Sequence, residues 1–283
     1  MEKSENIVIT ENFIDIEKVI ASKSPKLLKY LPSFILNYLK RILHEDQLNA
    51  IIYKNREAMG SDFATAVLEG FQAKINVINP HLIPTTERYI IASNHPLGGM
   101  DGMALISVVG NVRKDVVFPV NDLLLFLPNL KPIFIPVNKV GNNTAQNAKI
   151  FQETFSSEKI ILYFPAGLCS RKISGNIMDL EWKKTFIAKA KEFQRDVIPV
   201  YIDGRNSNFF YNLSNLRKKL GIKANIEMLY LVDEMFNQKG KNINVIFGEP
   251  ISYKTFDKSK SDKKWAEYMK QIVYDLGKKH HAH

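Results

Sequence analysis

The segment IIASNHPLGGMDGMALI, from Ile90 to Ile106, changes periodicity at its centre. Ile90 to Ser93 form a short apolar run of strand length, whereas the residues from Met100 onward carry apolar side chains at helical spacing. Between the two lie Asn94, His95, Pro96 and the pair Gly98-Gly99. A strand that passes through a glycine turn into a helix is half of a βαβ unit and predicts a parallel sheet. Pro96 stiffens the exit, and the glycines permit a tight turn and close approach of another molecule to the backbone. The helix then places Asp101 in its first turn, where the dipole favours an ionised carboxylate.

The same alternation runs downstream. Short β-branched runs occupy residues 75–78, 89–92, 116–120, 133–137, 160–164, 197–202 and 243–247. Helix-like segments lie between several of them, at 100–109, 144–155, 180–193 and 225–235, and a last one covers 263–278. This predicts an α/β fold, a mostly parallel mixed sheet flanked by helices. Upstream the spacing is helical only, over 13–21, 27–31, 32–43, 46–54 and 61–73, with Pro32, Ser61 and Asp62 as start residues. The expected organisation is a helical N-terminal membrane-associating region over 1–73 and an α/β domain over 74–283. Phe209-Phe210-Tyr211, opening a basic stretch to Lys223, reads as a loop.

The chain has 283 residues, 45% of them hydrophobic, enough to bury a large core. Its net charge of +10 calls for an anionic partner: nucleic acid, a phosphorylated substrate or an acidic membrane surface. No helix-turn-helix, RNA-recognition or zinc-finger frame organises the basic residues, so nucleic acid is not expected. The one cysteine, Cys169, allows no disulfide within the chain and points to a reducing compartment. The six histidines show no zinc spacing, and no metal is expected. The N-terminus is polar and acidic, unlike a signal peptide, and no apolar run reaches 18 residues. Between Lys18 and Leu43 there are six basic residues and no acidic one. Leu31, Ile35, Tyr38 and Ile42 make an apolar stripe there, the layout either of an interfacial membrane helix or of a packed helix with a solvated basic edge.

Asp101 within reach of His95 would fix the imidazole tautomer and favour its protonated form. That is two members of a hydrolytic triad; a substrate hydroxyl or amine could supply the third. The plain alternative is that His95 caps a helix and Asp101 is an N-terminal charge. Gly167 follows a strand, so its amide can approach an anionic group, and Arg171, Lys172 and Lys139 could pair with a phosphate or carboxylate. Each could equally be solvated surface. Neither Cys169 nor Ser170 sits in a nucleophile elbow.

NHPLGGMD resembles the first motif of the glycerolipid acyltransferase superfamily, the lysophosphatidic-acid acyltransferase-like enzymes. PIFIPVNKVG (132–141), LYFPAGLCSRK (162–172) and VIPVYIDG (197–204) resemble the second, third and fourth motifs, and FGEPI (247–251) the closing segment. The likeness covers about residues 74 to 252. Five residues rather than four separate His95 from Asp101, Ala166 replaces the glutamate of the third motif, and Arg171 falls two positions late. These departures resemble a bacterial branch labelled hemolysin-like, whose relatives are associated with O-acylation of lyso-amino-acid lipids such as glycine and ornithine lipids.

The resemblance implies an acyltransferase. His95 would deprotonate a lysolipid hydroxyl and Asp101 would orient it. Amides of Gly98, Gly99 or Gly167 would hold the oxyanion. Asn94, Asn138, Lys139, Ser170, Arg171 and Lys172 complete the expected substrate site. The acyl donor would be an acyl-carrier protein or coenzyme A thioester, a co-substrate rather than a bound cofactor. The enzyme would sit in the cytoplasm, peripheral on the anionic inner face of the membrane. The rival expectations are a lipid hydrolase or thioesterase, and a non-enzymatic membrane-active protein.

Overall fold

The structure is a computed structural model; it describes residues 13–120, 127–137 and 144–281. Seven strands form one sheet: β1 Lys74–Ile78, β2 Tyr89–Ser93, β3 Val116–Val120, β4 Phe134–Pro136, β5 Ile160–Tyr163, β8 Asp196–Asp203 and β9 Asn242–Phe247. Their order is β1-β9-β8-β2-β5-β3-β4, and every pair is parallel except β8 with β9. All seven expected strands are present and the sheet is mostly parallel, as the βα alternation predicts. A separate antiparallel hairpin, β6 Arg171–Ile173 with β7 Asn176–Met178, projects after β5.

Central strand β2 shows why the sheet is sandwiched. Ile91 packs into one apolar cluster, and its neighbours Ile90 and Ala92 into another. Alternate side chains point to opposite faces, and both faces are buried, as parallel sheets require. Helices α5 Gly60–Gly70 and α6 Gly99–Gly110 cover the first face. Helices α7 Thr144–Ser156, α8 Thr185–Phe193 and α11 Asp262–His281 cover the second. Phe63, Val67 and Leu68 of α5, with Phe71 just beyond its end, share one core with Ile243 and Val245 of β9, so the last helix before residue 74 is part of the α/β core.

The preceding helices are α1 Ile16–Lys23, α2 Pro25–Tyr30, α3 Ser33–Ile42 and α4 Glu45–Lys54. Ser24 caps α2 through Leu27 N–H, and Pro25 occupies its first turn, a position where a missing N–H costs nothing. Of the expected stripe, Ile42 is buried, Leu31 and Ile35 are half-buried and Tyr38 is exposed, so the stripe packs inward at three of its four positions. Leu27, Tyr30 and Phe34 are left outside with it, 55%, 78% and 73% exposed. No helix among the described residues is long and apolar enough to cross a membrane.

Residues 209–223, expected as a loop, contain helix α9, Asn208–Lys219, capped by Ser207. Its aromatics divide: Phe210 and Tyr211 are buried, while Phe209 is exposed. Segment 225–235 is a 3-10 turn followed by α10, Leu231–Phe236.

Candidate active site

Asn94, His95 and the glycine turn leave the sheet from the C-terminal edge of β2, between β8 and β5. Ligands of open α/β sheets bind at that edge. Asn94 is 2% exposed; its amide donates to Ile202 C=O (2.9 Å) and accepts from Ile202 N–H (2.7 Å). It therefore extends the β2–β8 ladder by one rung. Expected to bind substrate, Asn94 is placed with both ends of its side chain bonded to the sheet.

The chain then turns at Gly98, with φ +75° and ψ −122°, a conformation open to glycine alone. A Cβ there would lie 3.2 Å from Leu231 of α10. The turn brings Asp101 back under His95. Asp101 is fully buried, and its Oδ2 accepts from His95 Nδ1 (2.9 Å), Leu97 N–H (2.7 Å) and Gly98 N–H (3.0 Å). Burial holds the Asp101 carboxyl above its ordinary range; the imidazole and the Leu97 amide pull it only part of the way back, and the nearby Asp179 adds to the rise. Its other oxygen, Oδ1, is buried with no partner among the described residues. Two amides already donate to Oδ2, so that oxygen is an acceptor and the proton on this contact belongs to Nδ1. Nε2 is left with its lone pair and has no partner among the described residues. The His95 ring stacks on Phe164, at the end of neighbouring β5, with centroids 4.2 Å apart and planes 16° from parallel. Its side chain remains 17% exposed.

The resulting unit is a half-buried imidazole with one nitrogen held by a buried carboxylate and the other open, the arrangement of a general base. The first amides of α6 lie beside it. Gly98 N–H is bonded to Asp101, which takes it out of the expected oxyanion pair; Gly99, exposed, opens the helix.

The third-motif loop is arranged otherwise than expected. Arg171 is 1% exposed, and its guanidinium donates to Glu227 Oε1 (2.9 Å) and to the carbonyls of Cys169 (2.6 Å) and Ser170 (3.3 Å). Arg217 binds the same carboxylate, with a 2.5 Å contact from Nε. Arg171, expected to meet a head group, is thus placed as a buried cation paired inside the protein. Ser170 is likewise buried, its hydroxyl donating to Asp179 at 2.6 Å. Lys172 is half-buried on β6 and accepts Asn215 at its carbonyl. Gly167 is exposed with φ +66°, and its amide closes a turn onto Phe164 C=O. Asn138 and Lys139 lie outside the described residues.

Three residues here escaped the sequence reading. Phe164 supplies the aromatic plate under His95. Lys183, exposed, has its Nζ 2.9 Å from where a Gly167 Cβ would be, with no carboxylate partner among the described residues. Asp179, fully buried, gathers donors from three directions. Only the ordered pair Phe164-Pro165 was visible in the sequence, as a strand end; nothing local marks the other two. No group of three metal-ligating side chains occurs among the described residues.

Comparison with known proteins bears on this geometry. A family model described as Acyltransferase matches residues 18–282. The lyso-glycine lipid O-acyltransferase of Bacteroides thetaiotaomicron is 48% identical over 264 residues, 93% of this chain and 97% of that protein. The protein of the same name from Phocaeicola vulgatus is 46% identical over 264 residues, 93% and 95% respectively. A crystal structure of the 1-acyl-sn-glycerophosphate acyltransferase PlsC from Thermotoga maritima aligns with a TM-score of 0.47 and 16% identity, over 85% of this chain and 95% of that one.

Proposed function

Because the chain belongs to the acyltransferase family, we propose that it moves a fatty acyl group from a thioester to the hydroxyl of a lysolipid whose head group is an amino-acid carboxylate. The lyso-glycine lipid named for its relatives is the first acceptor to test. The observation that carries the reading is the 2.9 Å contact of His95 Nδ1 with buried Asp101, which leaves Nε2 open at the sheet edge.

The chemistry follows from that contact. Nε2 removes the acceptor's hydroxyl proton as its oxygen attacks the thioester carbonyl. The new imidazolium faces the Asp101 carboxylate, which lowers its cost. The tetrahedral oxyanion is assigned to the amide of Gly99 at the positive end of α6. Collapse breaks the carbon–sulfur bond, and the leaving thiolate takes the proton from Nε2. The products are an O-acylated lipid and a free thiol on the carrier, coenzyme A or acyl-carrier protein. The acceptor carboxylate is assigned to Lys183 at the Gly167 turn, because Arg171 is held internally.

A lipid acceptor has to be collected from a bilayer. Exposed Leu27, Tyr30 and Phe34, with exposed Lys26 and Lys29 among them, suit insertion into an anionic surface from the cytoplasmic side. The test gives purified protein a labelled acyl-coenzyme A or acyl-carrier protein with lyso-glycine lipid, lyso-ornithine lipid or lysophosphatidate in vesicles, and identifies products by mass. Acylated glycine lipid that disappears in His95→Ala supports the reading. Free fatty acid as the main product would convert it to a hydrolase.

A further inference from the structure

Asp179 has no part in the mechanism above, yet its side chain is among the most fully engaged carboxylates of the molecule. It is 0% exposed and lies after β7, far in sequence from the glycine turn. Its Oδ1 accepts the backbone N–H of His95 (3.2 Å) and the hydroxyl of Ser170 (2.6 Å). Its Oδ2 accepts the indole N–H of Trp182 (2.8 Å), itself 1% exposed. Its own N–H donates to the Tyr274 hydroxyl of α11 at 2.6 Å. Every group that meets the side chain is a donor, the pattern of a carboxylate rather than of a carboxylic acid. The carbonyl of His95 is taken too, by Ser170 N–H at 2.7 Å. Both backbone hydrogen-bonding groups of His95 are therefore held by the third-motif loop and the carboxylate that organises it.

Burying a carboxylate is costly before its partners are counted. A site that needed only to anchor Trp182 and Ser170 could use a neutral amide. A charge kept here, touching the backbone of the proposed base, has an electrostatic consequence as well as a steric one. We infer that Asp179 is a positioning residue for the transfer reaction: it clamps the backbone of His95 and places a second negative charge beside the imidazole, behind that of Asp101. This rests on His95 being the base.

The surrounding groups leave that charge little competition. Burial pushes the thiol of Cys169 and the hydroxyl of Tyr201 on β8 up to about 12, and raises Tyr274 on α11 as well, so none of the three is charged near neutral pH. Arg171 is paired with Glu227, and Lys183 stands out at the exposed Gly167 turn. Among the described residues, Asp101 at the ring and Asp179 at the backbone N–H are the carboxylates bonded to His95.

The test compares Asp179→Asn, Trp182→Phe and the double variant. In the single asparagine variant the new amide can face the Trp182 N–H, donor to donor; the double variant removes that conflict and protects the fold. Each is measured for kcat, KM and the pH profile of kcat/KM on the acyl-transfer assay, with thermal unfolding alongside. Loss of a negative charge disfavours the imidazolium, so the acid limb in both asparagine variants should move to lower pH by about half a unit or more. Their kcat should fall about tenfold or more, with KM for the donor within about threefold. Trp182→Phe alone keeps the carboxylate and should leave the limb in place. An unmoved limb in the double variant, an equal movement in Trp182→Phe, or loss of fold in both asparagine variants while Trp182→Phe stays folded would each assign Asp179 to stability alone and overturn the inference. Wild-type protein that acylates no lysolipid would defeat the proposed function instead, before any variant is compared.

Discussion

Asp101→Asn changes one atom at a point where three N–H groups converge on one oxygen. The amide can keep its carbonyl oxygen toward Leu97 and Gly98 only by placing its NH2 at the present Oδ1, which has no partner among the described residues. The turn then survives, and His95 loses only the charge facing Nδ1. Stability should change little, within about 2 kcal/mol, because the hydrogen bonds to a charged acceptor weaken by about 1–2 kcal/mol while the cost of burying that charge is relieved. Catalysis should change greatly. Exchanging the buried carboxylate of a His-Asp couple for an amide costs about 10⁴ in kcat in the serine-protease template. With no enzyme nucleophile to activate here, a loss of about 10³ to 10⁴ is expected, or about 4 to 5.5 kcal/mol at the transition state. The assay is single-turnover acylation of lysolipid followed by mass, beside urea unfolding of the same preparation. A variant that turns over within tenfold of wild type with an unchanged urea midpoint would refute the assignment of the couple as base and orienter.

Glu227→Gln should destabilise by about 3–5 kcal/mol, since it leaves buried Arg171 and Arg217 without their counter-charge. Burial pushes the Glu227 carboxyl up, but Arg217, a backbone amide and Arg171 more than reverse this and hold it below the usual glutamate range. A carboxyl lowered in the folded state stabilises above its unfolded pKa and loses that contribution as pH falls through the folded one. The difference between wild type and variant, read by urea unfolding, should be full at pH 7 and shrink below about pH 4. Gly110→Ala would set a Cβ 2.2 Å from Ser61 Cβ where α5 crosses α6; a loss of about 1–3 kcal/mol is expected, partly restored by adding Ser61→Gly, with thermal unfolding as the check. Lys183→Ala should raise KM for an amino-acid lysolipid about tenfold, about 1.4 kcal/mol, with kcat little changed; an unaltered KM would take the head group elsewhere.

The sheet was legible because its strands are buried on both faces. Runs such as VIPVYID and NINVIF carry apolar side chains in a pattern few other structures explain, and each found its place. Helix α9 was not legible: its aromatics and polar residues alternate without a clean stripe, since it is buried through Phe210 and Tyr211 and open at Phe209. The hairpin β6–β7 did carry a signal. Ser174-Gly175 sits between its strands, with φ of +48° and +87°, the turn chemistry of tight hairpins. In the site, the His95–Asp101 couple could be foreseen because one local turn makes it. The burial of Arg171 could not be foreseen, because its partner is 56 residues away and a lone arginine in a loop carries no mark of burial. Asp179 meets His95 across 84 residues and Tyr274 across 95, distances at which no periodicity operates.

The pairing of β1 with β9 joins segments 168 residues apart, Asn76 against Asn244. During synthesis the earliest strand has no neighbour until almost the whole chain has left the ribosome. Helix α5 can meet α6 early, but the part of its apolar face that shares a core with β9 stays uncovered as long. Late closure of such contacts slows folding and leaves sticky surface uncovered in the meantime. A nascent chain of this protein is therefore a natural client for holding chaperones, and a truncation before residue 242 should yield a product that aggregates rather than a smaller working enzyme.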